Sequence, residues 1–250
     1  FAVVGILGLV LAGWGSANKY GVLGGLRSAA QLISYEIPVI LVVVAVAILA
    51  ESLDLTVIVN EQTSLPYLVV FPLGLGLFFI AGLAEVGRTP FDIYHAESEV
   101  VGGPFVEYSG AHWSVFFLAE YINTFAIAAL TALLFLGGWL GPGPLWLGIV
   151  WFFLKVYAVI LVIFWVRGTF PRLRIDQLMA FGWKLLVPLS FINIVVTGSV
   201  LFYGWPIWTL SLISLVLLGG TVYLIARYRG TALERMTVRV YPAHVARRES

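Results

Sequence analysis

Apolar runs of about eighteen residues or more recur along the chain, and each is long enough, at about 1.5 Å per residue, to cross a hydrocarbon core of roughly 30 Å. Set against their polar, glycine and proline breakers, these runs predict seven spans: Phe1 to Trp14, Ser28 to Ala50, Pro66 to Ala84, Trp113 to Leu136, Leu145 to Val166, Leu185 to Tyr203 and Trp205 to Ala226. Lipid offers the backbone no hydrogen-bond partner, so spans of this length are helices that satisfy their own amides. The expected fold is all-α, a polytopic membrane helix bundle of about seven helices over residues 1–226. It carries a structured acidic connector at 85–112 and a basic tail at 227–250. The first run opens at Phe1 with no positively charged region before it, so no signal peptide is visible and an N-terminal part is expected to be missing. No internal repeat points to an inverted-repeat transporter.

Composition agrees with the pattern. The 250 residues are 61% hydrophobic and 11% charged, with a mean hydropathy of +1.01, which is more apolar surface than a soluble fold could hide. A net charge of +1 excludes a nucleic-acid surface, whose phosphate contacts need concentrated basic residues. The chain has no cysteine, so any disulfide or thiolate-ligated iron–sulfur cluster belongs to a partner. When connectors are numbered alternately, one side receives Lys19, Arg27, Arg88, Arg167, Arg172, Arg174, Lys184 and the six arginines from Arg227 to Arg248. The positive-inside rule makes that side, and with it the C-terminus, cytoplasmic. The opposite connectors 51–65 and 137–144 carry acids or no charge.

One stretch concentrates the acids. AEVGRTPFDIYHAESEVVGGPFVEYSG, Ala84 to Gly110, holds Glu85, Asp92, Glu97, Glu99 and Glu107 out of 13 acidic residues in the chain. Pro90 and the Gly102-Gly103-Pro104 turn prevent a continuous helix and predict short helices folded back on the membrane end. Phe91, Ile93, Val100, Val101, Phe105 and Val106 alternate with the acids, which gives the segment side chains to pack with; a solvated loop, the plainer reading, does not need them. Glu85 falls at the membrane surface, where a carboxyl loses hydration. Carboxylates clustered in a poorly hydrated place share protons over coupled titrations, as a proton conduit or charge relay requires. His95 adds a group that titrates near neutrality.

Ionisable residues also fall inside spans. Glu36, two residues before Pro38, and Glu120 and Lys155 each cost roughly 2.5–3.5 kcal/mol at a helix centre, so function or pairing is the default reading. An ion pair, or for Glu120 snorkelling to headgroup water, is the alternative. In FWVRGTFPRLRIDQLMAFGWK, Arg167 and Lys184 fit an ordinary positive loop, whereas Arg172, Arg174 and Asp176 around Pro171 suit an ion-pair network or a docking surface for another protein of an assembly. The tail from Arg227 is basic and Tyr-bearing and is expected on the membrane surface or a partner.

GSANKYGVLGGLRSAAQLISYE, AEVGRTPFDIYHAESEVVGGPFVEYSG, FFLAEYINTFAIAALTALLFLGGW and RGTFPRLRIDQLMAFGWKLLVPLSFIN together resemble the H-type membrane subunits of proton-pumping NADH:quinone oxidoreductase, respiratory complex I, in order and up to about Gly198. The resemblance implies a membrane subunit of the bacterial inner membrane that helps form a quinone chamber and carries no redox centre of its own. Flavin and iron–sulfur clusters would sit in partner subunits, quinone would be the substrate, and the partners would be cluster-bearing peripheral-arm subunits, neighbouring membrane subunits and lipid. It implies coupling roles for Glu36, Glu85, Asp92, Glu97, Glu99 and Glu107, with His95 beside them. It also implies chamber or docking roles for Arg88, Phe91, Arg172, Arg174 and Asp176. Where the family commonly reads PFDLPEAE or PFDLPEGE, this chain reads PFDIYHAE, so Tyr94 replaces Pro and His95 an acid. The nearest rival is the homologous membrane subunit of energy-converting hydrogenases or formate hydrogenlyase, which the FLAEY, LFLGGW and RGTFPRLRIDQLMAFGWK runs resemble less. A haem-bearing cytochrome would need axial ligands inside spans, but His95, His112 and His244 lie in predicted connectors or the tail.

Overall fold

The computed structural model describes residues 2–92 and 103–237. These residues form α1 (Ala2–Gly15), α2 (Lys19–Leu49), α3 (Leu55–Glu61), α4 (Tyr67–Val70) and α5 (Pro72–Val86). After a single turn at Gly103–Phe105 come α6 (Ala111–Phe135), α7 (Gly148–Thr169), α8 (Ile175–Phe181), a π-helical segment Gly182–Leu186, α9 (Val187–Phe202) and α10 (Ile207–Thr237). No strand occurs among the described residues. Lys19–Leu49, Ala111–Phe135, Gly148–Thr169 and Ile175–Phe202 are long and apolar enough to cross a membrane, and Val4–Gly15, Pro72–Val86 and Ile207–Tyr223 are shorter apolar helices. Four long and three short helices agree with the seven predicted spans.

The breakers act with more variety than the sequence pattern suggested. The predicted span Pro66 to Ala84 is two helices, because Phe71 adopts φ −134°, ψ 54° just before Pro72, which opens α5 at its first turn where its missing N–H costs nothing. Pro38 does not end α2, which runs 31 residues from the cap of Asn18, whose side chain accepts from the Tyr20 N–H at 3.1 Å. α2 therefore starts nine residues before the predicted Ser28 and reaches past the apolar zone at the basic end. Pro188 likewise widens a helix instead of breaking it: it has no N–H to donate to Lys184, and the Val187 N–H reaches back five residues to Gly182 O. Asp176 and Lys184, expected in a loop, are consequently in one helical run from Ile175 to Phe202. The last helix continues to Thr237, beyond the predicted end at Ala226; residues 238–250 of the expected tail lie outside the described residues.

α2 is the central mast. It packs against α1, α5 and α9, and its buried face of Tyr35, Val42, Ala45 and Val46 joins Leu77, Phe78 and Ala81 of α5 in the core. α1 crosses it backbone to backbone: a Cβ added at Gly13 would stand 2.7 Å from Gly21 O and 3.1 Å from Gly25 Cα. α7 packs chiefly on α6. Lys155, in the span now seen as α7, makes no ion pair among the described residues: its ammonium donates to Leu136 O at 2.7 Å and Leu140 O at 2.6 Å. It thus caps the C-terminal end of α6, where cations complement the unpaired carbonyls.

Candidate functional site

α5 ends with Gly87 in the left-handed conformation, φ 68°, which closes the helix and sends the chain out as the acidic connector. Its first residues are fastened from two sides. The Gln31 amide nitrogen, on α2, donates to Ala84 O and to Phe91 O, both at 2.8 Å. The Leu173 N–H, in the loop before α8, donates to Pro90 O at 3.0 Å. Phe91 is buried between the rings of Tyr35, centroids 5.8 Å apart, and Phe181, stacked at 6.4 Å. The same loop and helix are tied to α2 by Tyr35 Oη donating to Leu178 O at 2.9 Å and by Trp183 Nε1 donating to Ser34 Oγ at 3.0 Å. The arginine-bearing loop and the start of the connector are thus one packed unit around α2.

The connector returns at Gly103–Phe105, buried against the N-terminal turns of α2. Contact here is between backbones: a Cβ at Gly24 would lie 2.6 Å from Gly103 Cα, so only glycine allows the approach. Asn18 Nδ2 donates to Glu107 at 2.9 Å and Tyr108 Oη to Ala12 O at 3.1 Å, which ties the return leg to the α1–α2 turn.

Between these two fastenings lies a cavity of about 560 Å³, within the range of small-molecule sites. Gly5, Gly8 and Leu9 of α1 and Phe116 of α6 give it apolar walls, and Glu36, Glu85, Glu120 and Asn123 bring polar groups to it from α2, α5 and α6. Leu32 and Glu36 line it from one stripe of α2, while Gln31 and Tyr35, the neighbouring stripe, hold the connector. Glu120 meets the Arg88 guanidinium at 3.1 Å, and that guanidinium also stands 4.9 Å from the Tyr121 ring. The carboxylate and guanidinium are 13% and 12% exposed, so the attraction is little screened. Asn123 Nδ2 approaches Glu85 O at 3.5 Å. An apolar chamber with carboxylates on its walls suits an amphiphilic small molecule or a file of water carrying protons.

Of the sequence-selected residues, the fold gathers Glu36 and Glu85 on the cavity, Arg88 beside it through Glu120, and Phe91 and Asp92 at the connector's mouth. Glu107 does not line the cavity; it is exposed at the α1–α2 turn. Arg172, Arg174 and Asp176 are exposed on the loop and first turn of α8, around the Leu173 amide that grips Pro90. His95, Glu97 and Glu99 lie outside the described residues. Among the described residues no group of three or more His, Asp or Glu converges as a metal site would. Sequence reasoning missed Gln31 and Asn123, because it followed charges and passed over neutral amides inside the apolar runs.

The fold and cavity define an integral membrane protein of the polytopic helical class with a carboxylate-lined chamber at its basic end. The chain belongs to the NADH dehydrogenase family, which matches residues 1–198. It is 51% identical over 199 residues to the H subunit of the NADH-quinone oxidoreductase of Geobacillus thermodenitrificans, a match covering 78% of this chain and 59% of that protein. It is 50% identical over 203 residues to the H subunit from Syntrophotalea carbinolica, covering 81% and 59%. It is 51% identical over 202 residues to the H subunit numbered 1 from Geobacter sulfurreducens, covering 80% and 57%. The chain thus spans about three-fifths of the length of the relatives it matches. These names agree with the resemblance carried by the connector and loop motifs.

Proposed function

We propose that the chain acts as a membrane subunit of a proton-translocating NADH:quinone oxidoreductase, helping to form the quinone chamber and coupling quinone reduction to proton movement. The cavity carries this reading: it sets Glu36, Glu85 and Glu120 from three helices on one poorly hydrated space at the root of the acidic connector. Its apolar walls suit a quinone's ring and tail, and carboxyl groups around one such space cannot ionise independently. A change of charge at a bound quinone therefore redistributes protons among them, and Arg88, held against Glu120, fixes the local balance. The electrons come from clusters in partner subunits, docked on the basic end through the exposed Arg172, Arg174 and Asp176. Asp92, Glu97, Glu99 and His95 continue the relay along the connector. The basic end faces the cytoplasm.

The test is an assembled complex in native membranes in which Glu36 and Glu85 are both replaced by Gln. NADH oxidation by a water-soluble acceptor, which needs no quinone, is expected to persist while quinone-driven proton uptake into vesicles is lost. Undiminished quinone reduction together with undiminished pumping would overturn the proposal.

A further inference from the structure

A second polar region lies inside the bundle, apart from the cavity. Ser190, Asn193 and Thr197 of α9 are 0%, 1% and 0% exposed, and none of them lines the cavity. Spaced three and four residues apart, they share one face of the helix. α9 packs mainly on α2 and also on α5, and it carries no ionisable side chain. Neither α2 from Ile37 to Ala50 nor α5 from Pro72 to Ala84 offers it a polar side chain.

The two hydroxyls spend their hydrogens on their own helix: Ser190 Oγ donates to Val187 O and Thr197 Oγ1 to Asn193 O, both at 2.8 Å. Each oxygen keeps lone-pair capacity for an incoming donor. Asn193, between them, has the opposite surplus, because its amide nitrogen is buried and donates to no group among the described residues. A buried amide hydrogen without an acceptor is costly. A donor and two acceptors that share a stripe without meeting are matched by a small molecule that accepts from one and donates to the others, as buried water does. With the Asn193 amide turned over, its oxygen would need a donor instead, and water meets that need equally.

We infer that the face of α9 around Asn193 is a binding site for internal water, held by the Asn193 amide and the hydroxyl oxygens of Ser190 and Thr197. Water and not a cation is the ligand, since α9 brings no carboxylate to balance a charge inside the bundle. The site is independent of the coupling role proposed for the acids, and it gives α9 a hydrated station where the helix has no acid or base of its own.

The test is a density map of the assembled complex in lipid, at a resolution that shows ordered water. A peak within hydrogen-bond distance of the Asn193 amide and of at least one of the two hydroxyl oxygens is expected. Asn193→Leu, which keeps the bulk and removes the amide, should abolish it. Infrared spectra of the same preparations should carry a water O–H band that shifts in heavy-oxygen water and is lost in Asn193→Leu. A face filled by protein alone, with the Asn193 amide resting on a protein acceptor, overturns the inference, and so does a peak held at the short distances of a sodium ion. A gain of stability in Asn193→Leu also overturns it, because leucine relieves an amide that is merely unmet but removes the anchor of a bound water. If Asn193→Leu fails to assemble, the Ser190→Ala/Thr197→Val double variant decides: a peak and band unchanged from the parent overturn the inference, and their loss or displacement supports it.

Discussion

Each end of the bundle buries a glutamine, and the two are treated oppositely. Gln62, 4% exposed at the end away from the arginines, uses all of its capacity: Nε2 donates to Ile58 O and Leu133 O at 3.1 and 3.0 Å, and Oε1 accepts from the Tyr67 and Gly137 amides at 3.3 and 2.9 Å. It locks α3, α4 and the end of α6 into a clasp, and Lys155 closes the neighbouring carbonyls. Gln31 at the basic end has its donors used and its acceptor without a partner among the described residues, close to a cavity lined by carboxylates. Saturated polar networks rigidify, whereas an unpaired buried acceptor is costly and fixes its surroundings less firmly. One end of this protein closes its polar contacts on itself, and the other keeps polar groups around a cavity, where the proposed function places the proton exchange.

The largest effect should come from the closed end. Gln62→Leu leaves Leu133 O and the Tyr67 and Gly137 amides without their partner, and about 3 kcal/mol of stability should be lost in detergent unfolding. Gln31→Leu should cost less, about 1–2 kcal/mol in the same experiment, since only Phe91 O loses its partner while Ala84 O keeps the Gly87 amide, and an acceptor with no partner among the described residues disappears with the side chain. Equal losses would dissolve the contrast. Next, Gly24→Ala pushes a methyl into Gly103 Cα and should cost about 2 kcal/mol, with faster proteolysis of the connector's return leg and no change in the far clasp. Cleavage rates that stay at the parental value would show that the return leg is not held there. The smallest effect concerns Asp54, the exposed cap of α3, whose carboxylate accepts from the Thr56 amide at 2.9 Å and is held below the usual carboxylate range by that bond. A folded-state value below the unfolded one means its contribution is present above the ordinary carboxylate pKa and disappears as pH falls through the lowered one. The protection of the α3 amides, taken relative to their intrinsic exchange rate at each pH, should therefore fall on acidification in the parent and become less sensitive to pH in Asp54→Asn.

Much of the fold was legible. Hydropathy alone located seven apolar helices, because a lipid-spanning backbone has one local solution. The glycine and proline breakers were harder to read: the same residue type opened α5 at Pro72, was absorbed in α2 at Pro38 and widened a helix before Pro188. Which outcome follows depends on the neighbours that take up the freed carbonyl. At the site, the expense of charge inside lipid exposed Glu36 and Glu120 as noteworthy, yet Lys155 beside them turned out to be a helix cap, a distinction that rests on where the end of α6 lies. Glu107 looked like a member of the acidic cluster by proximity in sequence and is instead fastened to Asn18 at another corner.

By itself the sequence determined the helical membrane class, the basic and acidic ends and the segment where carboxylates accumulate, since these follow from local hydropathy and the cost of charge in lipid. Only the tertiary structure decided which of those carboxylates share a cavity, that Arg88 answers Glu120, and that one glutamine closes its network while the other spends its donors on the root of the connector. Partners of that kind meet across 32 to 75 residues of chain, from Arg88 to Glu120 and from Gln62 to Gly137, and nothing in the local pattern encodes the crossing of helices that joins them.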